Sequence, residues 1–411
     1  MRVVRLLKPV LSRYCRSRHA NVAVISALAM PCIVGFCGLG ADTGYWYYRQ
    51  RVLQGAADIT AYNAAVALSA GSSTAAIAAG ASSDATTNGW NSAQGTITVN
   101  TPPTSGTHQN ANSAEVILTE TEPRFFSLIY ANSKVNVSVR AVAAYRSSGV
   151  ACMLALDKKV QNALDFSGSN STKLAGCNAM SDSLNNQSFG VNGSSTVSVP
   201  CAIAAGGVDV SSTLSLTLCK SPISNAQPAP DPYASLAAPA IPASCTNAPG
   251  NGDLSPGKYC GGLSIKDTRT LDPGVYVISG GTFDLNANAN ITGTGVMFYL
   301  TNGATLKFNG NAQMNLSAPT TGTYAGMLFF SDRSQANASQ SFNGTDSSVL
   351  TGALYFPTQA VTVNGNYTGT NGCMQLVADT ISYSGSSTLS ATCPGTGLSG
   401  IPVPSGSYLV E

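Results

Sequence analysis

An uncharged apolar stretch at residues 22–41 constrains this chain more than any other feature. In a helix, at about 1.5 Å of rise per residue, it is about 30 Å long, which matches the hydrocarbon core of a bilayer. Pro31 lies in its middle, where it would be costly in a soluble helix but is tolerated in a membrane helix. The stretch therefore predicts a retained transmembrane anchor. A cleaved signal peptide is the alternative, since the small residues at 38–41 could form a cleavage site.

The head before this stretch, residues 1–21, carries six Lys or Arg residues and no acid. By the positive-inside rule the head stays in the cytoplasm and the rest of the chain is exported. A basic nucleic-acid arm is the other interpretation of the head. The adjacent anchor and a net charge of only +2 argue against it, and we expect no nucleic-acid partner.

The composition beyond the anchor is typical of a secreted β-rich protein. Charged residues make up only 10% of the chain, compared with about 25% in an ordinary soluble domain. With only His19 and His108 available, histidine-based metal or triad chemistry is disfavoured, and we expect no cofactor or metal.

Cysteines divide along the chain in the same way. Three lie in the head or the anchor, at positions 15, 32 and 37. The other eight form an even set without a C-x-x-C pair, which predicts disulfides in an oxidising compartment and leaves their connectivity open. These candidate disulfide cysteines are Cys152, Cys177, Cys201, Cys219, Cys245, Cys260, Cys373 and Cys393.

A helical pattern continues beyond the anchor. The aromatic residues at 45–48 stand where the helix should leave the bilayer, and an Ala-rich, small-residue face follows. We expect one long helix to about Ala70, then a loop over 71–114. Strands at 116–119 and 135–142, with a short helix beginning near Pro123, complete a small α+β stem over 42–148.

From residue 149 onward the sequence contains a repeat. Each copy is an apolar-x-apolar triplet followed by Asn or Ser, Gly or Ala, and Asn or Ser. Its copies begin at residues 164, 189, 283, 306, 361 and 381. The closest copies are about 20 to 25 residues apart, which is the length of one β-solenoid coil. Stacked Asn and Ser at the corners predict side-chain ladders. A β-sandwich of hairpins is the alternative, with Asn-Gly as a two-residue turn.

The expected fold is thus a single N-terminal transmembrane helix followed by a mainly-β ectodomain, with a small α+β stem and β-solenoid repeats. We predict a first β-repeat module at 149–220 and a second at 257–395. Between them, residues 221–256 contain eight prolines and predict a semi-rigid linker. The last residues, 396–411, contain a Gly-x-Gly-x-x-Gly pattern among prolines and are expected to be a flexible tail.

Four short segments resemble the N-terminal module of TadE/TadG-like proteins, which belong to the Flp (tight adherence) pilus-assembly machinery of bacteria. They are NVAVI at 21–25, LGAD at 39–42, WYYR at 46–49 and LQGAAD at 53–58. Pilin-like members of that family carry a Gly followed five residues later by Glu, where a peptidase cuts. Because no such pattern precedes the apolar stretch, the chain resembles an uncleaved TadG-type protein.

The resemblance implies a non-catalytic structural role in pilus assembly, with other pilus-assembly envelope proteins as partners. It also implies a single-pass location in the bacterial inner membrane, a cytoplasmic N-terminus and a periplasmic ectodomain. The candidate helix or partner contacts are Asp42, Trp46, Tyr47 and Asp58. Some TadG-type proteins carry a von Willebrand A domain, and residues 165–169 spell its Asp-x-Ser-x-Ser motif; a repeat corner explains the same letters.

Two other classes of function compete with this one. A β-solenoid adhesin or carbohydrate-binding protein, which would take a surface glycan, is the first alternative. A polysaccharide-degrading enzyme would need clustered carboxylates, whereas the aspartates of this chain are scattered. Asp332 and Arg333 form the only charged doublet after a strongly apolar strand, and a local ion pair explains them as well as catalysis does.

Overall fold

The computed structural model describes residues 18–69, 72–129, 131–335, 338–343, 348–364, 366, 373–390 and 393–411. The described chain divides into two compact units. The stem unit falls within Met1–Leu68, Ser72–Tyr145 and Ser407–Glu411, and the solenoid unit within Ser69–Gly71 and Arg146–Gly406.

Helix α1 (Arg18–Ser69) is a continuous helix of 52 residues. Its part from Val22 onward contains a window with a mean hydropathy of 2.3, long and apolar enough to cross a membrane. Large apolar side chains there are exposed, as in the case of Leu28 at 73% and Phe36 at 76%. The helix ends one residue from the predicted end, which confirms the prediction of one long helix.

The second half of α1 forms the core of the stem unit. Leu53, Ala57, Ala61 and Ala65 recur every four residues on one face and are fully buried. Their small side chains let the helix approach an antiparallel sheet of three strands closely. The strands are β1 (Gly95–Asn100), β2 (Ser113–Glu122) and β3 (Val135–Ala155), with Gly95 opposite Glu120 and Ser113 opposite Ala144.

A second helix, α2 (Thr74–Thr87), lies where the sequence predicted a loop, and that prediction was wrong. Ser73 caps its N-terminus, accepting a hydrogen bond from the Ala76 N–H. Ile77, Ala81 and Ala85 are buried along one face. Ala has the highest helix propensity, and this outweighs the Ser and Thr residues that suggested a loop. A short 3₁₀ helix, Ser127–Ile129, replaces the helix predicted after Pro123.

One buried carboxylate, on the central strand β2, organises one end of the stem sheet. Glu115 accepts hydrogen bonds from Arg140 Nε at 2.6 Å and Asn100 Nδ2 at 2.6 Å. Burial alone would raise the pKa of Glu115, but these bonds and those from Thr104 lower it to about 2. Arg140 also binds the side chain of Glu411, whose backbone carbonyl accepts the Val142 N–H at 2.8 Å. The expectation of a flexible tail was therefore wrong, and Ile401–Leu409 is a strand.

The stem should lose stability in acid because of Glu115. A carboxyl whose pKa is lower in the folded than in the unfolded chain stabilises the fold above the unfolded pKa, and this contribution is lost as the pH falls through the folded pKa. We expect the thermal midpoint of the stem to fall between about pH 4.5 and pH 2. Glu115→Gln should lower the midpoint at neutral pH and flatten this dependence. Wild-type and variant curves of the same slope would contradict the assignment.

The solenoid unit is built from short parallel strands, within which the described residues form about ten coils. After β3 the strands are β4 (Leu164–Phe166), β5 (Ser171–Ala175), β6 (Asn178–Ser181), β7 (Phe189–Val191), β8 (Thr196–Val199), β9 (Ala202–Ala204), β10 (Val208–Val210), β11 (Thr213–Leu216), β12 (Gly257–Ile265), β13 (Thr268–Leu271), β14 (Gly274–Leu285), β15 (Asn290–Thr294), β16 (Val296–Thr301), β17 (Thr305–Phe308), β18 (Gln313–Ser317), β19 (Met327–Ser331), β20 (Ser339–Phe342), β21 (Val349–Val363), β22 (Met374–Tyr383), β23 (Ser387–Ser390) and β24 (Ile401–Leu409).

All six predicted apolar triplets lie in strands of one solenoid face, and the β-solenoid prediction is confirmed. Parallel pairing places Phe283 beside Leu306, and Val361 beside Ile381. β20 supplies the one coil between 306 and 361 whose triplet the sequence pattern missed, because it reads Gln-Ser-Phe. The inward Gln340 is buried there, and its amide bonds the Leu306 N–H at 2.7 Å and the Ala304 carbonyl at 3.2 Å.

The two predicted β-repeat modules are one solenoid. β22 pairs in parallel with β3 and β4, so that Leu376 lies beside Met153 and Ile381 beside Leu164. The chain thus enters the stack in its middle, coils outward to β10 and β11, and resumes at the other end with β12. From there it coils back to β22. Two separate modules were expected because sequence order gives no sign that coil 374–383 meets coil 150–166.

The Pro-rich segment, residues 221–256, connects the two ends of the stack and is called the strap below. It was expected to be a spacer between modules. Instead it bridges to β9 through Ile223 and Ile203, and to β13 through Leu254 and Leu271. Ala229 in its middle is buried. Prolines suit this path because little conformational entropy is lost when the strap is fixed.

Aromatic rings stack along the interior from coil to coil. Neighbouring ring centroids are 6.1, 5.4 and 4.9 Å apart along Tyr259, Tyr276, Phe298 and Phe329. Burying each ring stabilises the fold by about 1.5–3 kcal/mol. The rings of Tyr383 and Phe166, with centroids 6.0 Å apart, continue these contacts across the pairing of β22 with β4, so the core is not divided into modules.

The corners carry the predicted side-chain ladders. Ser211 donates to Asn192 Oδ1 at 3.0 Å and Ser384 donates to Asn364 Oδ1 at 2.7 Å, each bond linking two successive coils; Asn192 also donates to Asp165 Oδ1 of β4 at 2.7 Å. Gly168 and Gly193 follow these corners with φ of 86° and 70°, a region that a residue with a side chain rarely adopts. The Ser-Gly and Asn-Gly pairs of the repeat are therefore corners, as predicted.

All eight cysteines from Cys152 onward are paired, as predicted. The disulfides are Cys152–Cys177, Cys201–Cys219, Cys245–Cys260 and Cys373–Cys393. Their sequence separations run from 15 to 25 residues, about one coil, so each bond closes a local loop.

Removing the Cys201–Cys219 bond should destabilise the outer coils. Closing a loop of 18 residues stabilises a fold by about 3 kcal/mol through the entropy of the unfolded chain. We expect Cys201→Ala with Cys219→Ala to lower the urea midpoint of the full chain in detergent. Reduction of the wild-type protein is the control and should lower it at least as much. An unchanged midpoint in the double variant would argue against a stabilising bond.

Candidate functional site

The membrane-proximal end of the stem unit contains an unusual polar centre built around Asp42. A loop at residues 123–129, called the junction loop, contacts α1 at this level. Asp42 is fully buried, and its carboxylate accepts the N–H groups of Phe125 at 3.1 Å, Phe126 at 3.1 Å and Ser127 at 2.7 Å. The Ser127 hydroxyl donates a further bond at 2.5 Å.

The carboxylate of Asp42 substitutes for backbone acceptors that the junction loop lacks. The first N–H groups of any helical turn have no partner within the turn, and a carboxylate is the strongest acceptor for them. Burial raises the pKa of Asp42, but the hydrogen bonds from Ser127, Phe126 and Phe125 outweigh it and hold the pKa below its ordinary value. Asp42 is therefore ionised at neutral pH, and its charge is used within the chain.

A second set of contacts surrounds the base of the junction loop. Trp46 Nε1 donates to the Pro123 carbonyl at 2.9 Å. Arg49 pairs with Glu120 at 2.5 Å and with Glu122 at 3.0 Å, and both carboxylates are almost completely buried. A buried pair of acids beside one arginine is stable only with every partner in place. Glu122 also accepts the Tyr45 hydroxyl at 2.9 Å.

The structure brings two of the four candidate contact residues together. Asp42 and Trp46 both hold the junction loop. Tyr47 is 61% exposed, with the guanidinium of Arg51 5.7 Å from its ring centroid. Asp58 is half-buried farther along α1 and accepts a bond from Gln54 at 2.8 Å.

Sequence reasoning missed the acids and the loop that complete this centre. Glu120 and Glu122 alternate on β2 immediately before Pro123, in a chain that is poor in acids. That alternation is the signal that could have been followed, since two acids on one strand face predict a shared cation.

The solenoid unit contains a second candidate surface, a cavity of about 530 Å³ beside the strap. Arg333 donates to the carbonyls of Leu236 at 3.0 Å and of Tyr233, and to the Tyr355 hydroxyl at 3.0 Å. Tyr355 donates to Asp231 of the strap at 2.7 Å. These contacts fasten the strap to the coils.

Asp182 fastens the strap on the same side. It accepts the Ala229 N–H at 2.8 Å and the Lys158 ammonium at 2.8 Å. Burial raises the pKa of Asp182 to about 6, although Lys158 lowers it. This group therefore stabilises the fold less as the pH rises from 3.8 through 6, because the folded chain holds its proton more tightly than the unfolded chain does.

The other chemistry suggested by the sequence has structural explanations. Arg333 bonds the strap while Asp332 accepts bonds from Thr301 and Ser334, so these two side chains have different partners. Asp165, the first residue of the Asp-x-Ser-x-Ser motif, belongs to the corner ladder. Among the described residues no group of three His, Cys, Asp or Glu side chains could hold a metal ion.

Together these features define a class: a protein with an N-terminal apolar helix resembling a membrane anchor and a disulfide-bonded β-solenoid body. Comparison with protein-family models, curated proteins and solved structures finds no match for the chain.

Replacing the charge of Asp42 should release the junction loop. Asp42→Asn keeps the shape of the side chain but replaces one of its two acceptor oxygens with an NH₂ group. That NH₂ group would face the backbone N–H donors of the loop and could not accept their hydrogen bonds. We expect faster trypsin cleavage after Arg124 in the detergent-solubilised chain, measured by mass spectrometry. Asp58→Asn is the matched control and should be cleaved at the wild-type rate. Equal rates for both variants would mean that Asp42 does not hold the loop.

Proposed function

We propose that this protein is a membrane-anchored structural component of Flp-type pilus assembly, non-catalytic, with its solenoid exported to the periplasm. The observation that carries the proposal is the continuity of α1. The same helix is exposed and apolar over the candidate span and then becomes the buried core of the stem. An anchor and a domain that share one helix transmit force and orientation without a hinge, which is what an assembly scaffold needs.

The distribution of cysteines supports export of the body. Cys32 and Cys37, in the candidate span, are free and exposed to what would be lipid. The eight cysteines from Cys152 onward are all in disulfides. Such bonds persist in an oxidising compartment such as the bacterial periplasm. With a basic head on the other side of the span, this favours a cytoplasmic N-terminus in the inner membrane.

The assignment to pilus assembly rests on the resemblance to TadE/TadG-like proteins. Two of the four resembling segments meet in one place, because Asp42 and Trp46 hold the junction loop and Arg49 binds Glu120 at its base. Their presence is thus explained by a shared stem architecture. Tyr47 and Asp58 are accessible, and we propose them as contacts for other pilus-assembly envelope proteins.

A non-catalytic role is supported by how the solenoid uses its charges. Asp182 and Arg333 bind the strap, Asp231 of the strap accepts the Tyr355 hydroxyl, and Asp267 pairs with Arg269 at 2.6 Å. Arg269 in turn donates to the carbonyls of residues 249, 250 and 252 beside the first coil. These polar groups bond other parts of the chain. A hydrolase would instead need such groups directed at its substrate.

Deletion and complementation test the proposal. A strain without the gene should assemble no Flp pili, and the wild-type gene should restore them, as counted by electron microscopy. Val34→Arg places a charge in the middle of the span at a cost of about 3 kcal/mol, so it should reduce both membrane retention after carbonate washing and pilus number. Tyr48→Phe, which keeps an exposed ring, is the control. Normal pili in the deletion strain would refute the role.

Binding of a surface glycan is the second candidate, favoured by the cavity beside the strap. Lys158, Asp231 and Arg333 line it with both signs of charge, next to the apolar edge of Leu156. Glycan binding by the wild-type chain that is lost in Thr358→Trp, which would fill the cavity, together with normal pili in the deletion strain, would favour this function.

A further inference from the structure

We propose that the junction loop is a second membrane element, whose apolar tip lies in the outer half of the bilayer beside α1. This rests on the proposed anchor, since it takes the candidate span to be in a membrane. The partner of the loop is then lipid rather than another protein.

The first argument is the exposure of the tip. Four large apolar side chains of the junction loop are more than half exposed, and Ile129 is exposed to 87%. Single exposed apolar residues are normal on a soluble protein, but a contiguous group marks a contact surface. The remaining members of the group are Phe125, Phe126 and Leu128.

The second argument is depth. A Cβ built on Gly38 would lie 2.6 Å from Phe126 Cβ, so Phe126 packs directly against the helix backbone there. Gly38 lies in the last turn of the apolar stretch, and Trp46 is eight residues, or about 12 Å, farther along the helix. If the aromatic residues near Trp46 mark the membrane surface, the loop tip lies below that surface.

The third argument concerns backbone hydrogen bonds. Irregular backbone is tolerated at membrane depth only when its polar groups are satisfied within the protein. The N–H groups of Phe125, Phe126 and Ser127 all bind Asp42. The Pro123 carbonyl accepts from Trp46, and the Ser127 carbonyl accepts the Ala131 N–H at 3.2 Å. This explains why a buried charge stands at the end of the span.

The hollow between the junction loop and α1 is also suited to lipid. It has a volume of about 650 Å³ and is lined on the helix side by Pro31, Gly35 and Leu39. Arg124 stands at its rim, with its guanidinium 5.2 Å from the ring centroid of Trp46. An apolar hollow below a cation and an indole suits an acyl chain below an anionic or zwitterionic headgroup.

Depth-dependent quenching tests the proposal in the full-length chain. Ile129→Cys, in a background with Cys15, Cys32 and Cys37 changed to Ser, is labelled with an environment-sensitive fluorophore. The protein is reconstituted into phosphatidylcholine vesicles with nitroxide groups on the acyl chains. We expect blue-shifted emission and quenching several-fold stronger than for Ser138→Cys, which is exposed on β3.

A pair of glycine variants tests the geometry. Gly38→Leu would collide with Phe126, whereas a Cβ on Gly40 meets nothing within 4 Å. We expect Gly38→Leu to abolish most of the quenching at residue 129 and Gly40→Leu to preserve it. Equal effects of the two variants would overturn the proposed packing.

The outcomes separate this inference from the anchor on which it rests. Equal quenching at residues 129 and 138 in protein that floats with the vesicles would overturn the lipid contact and leave the anchor intact. Protein that does not float with the vesicles would overturn both. Protection of residue 129 from a membrane-impermeant maleimide in cells, without quenching in vesicles, would identify a protein partner and overturn the proposal.

Discussion

The parallel pairing of β22 with β3 and β4 is the interaction on which the solenoid depends. It joins coils that are more than two hundred residues apart in sequence and makes the two halves of the stack continuous. Leu376 and Met153 are fully buried there. Without this pairing, two short stacks would each expose an apolar face, and a stack of few coils buries too little surface to offset the entropy of ordering it. The strap and the disulfides then secure a stack that this pairing has already made continuous.

The stem depends on an electrostatic constraint of a different kind. Asp42 and the acids of β2 are buried charges, and α1 holds both Asp42 and the partly exposed Arg49 that pairs with these acids. A helix that runs from the candidate span into the domain core therefore sets both the packing of the sheet and the position of the junction loop.

Much of the fold could be predicted, and the failures have clear physical causes. Apolar triplets with period two and Asn-Gly corners predicted solenoid coils, because burial and turn geometry act over a few residues. The loop predicted at 71–114 was wrong because Ser and Thr obscured the high helix propensity of alanine in α2. At the candidate site, Asp42 and Trp46 were found from the sequence. Their partners Ser127 and Pro123 were missed because they lie some 80 residues away in the chain.

The sequence by itself determined the local elements: an apolar helix of bilayer length, strands with one buried face, and an even set of exported cysteines. The tertiary structure alone decided how they are ordered. Which coil stacks on which and the course of the proline-rich strap depend on contacts between distant residues, and only the fold shows that each cysteine pairs with the next one along the chain. Any apolar triplet can in principle stack on any other, so the selection among them is made by the complete core and not by the local pattern.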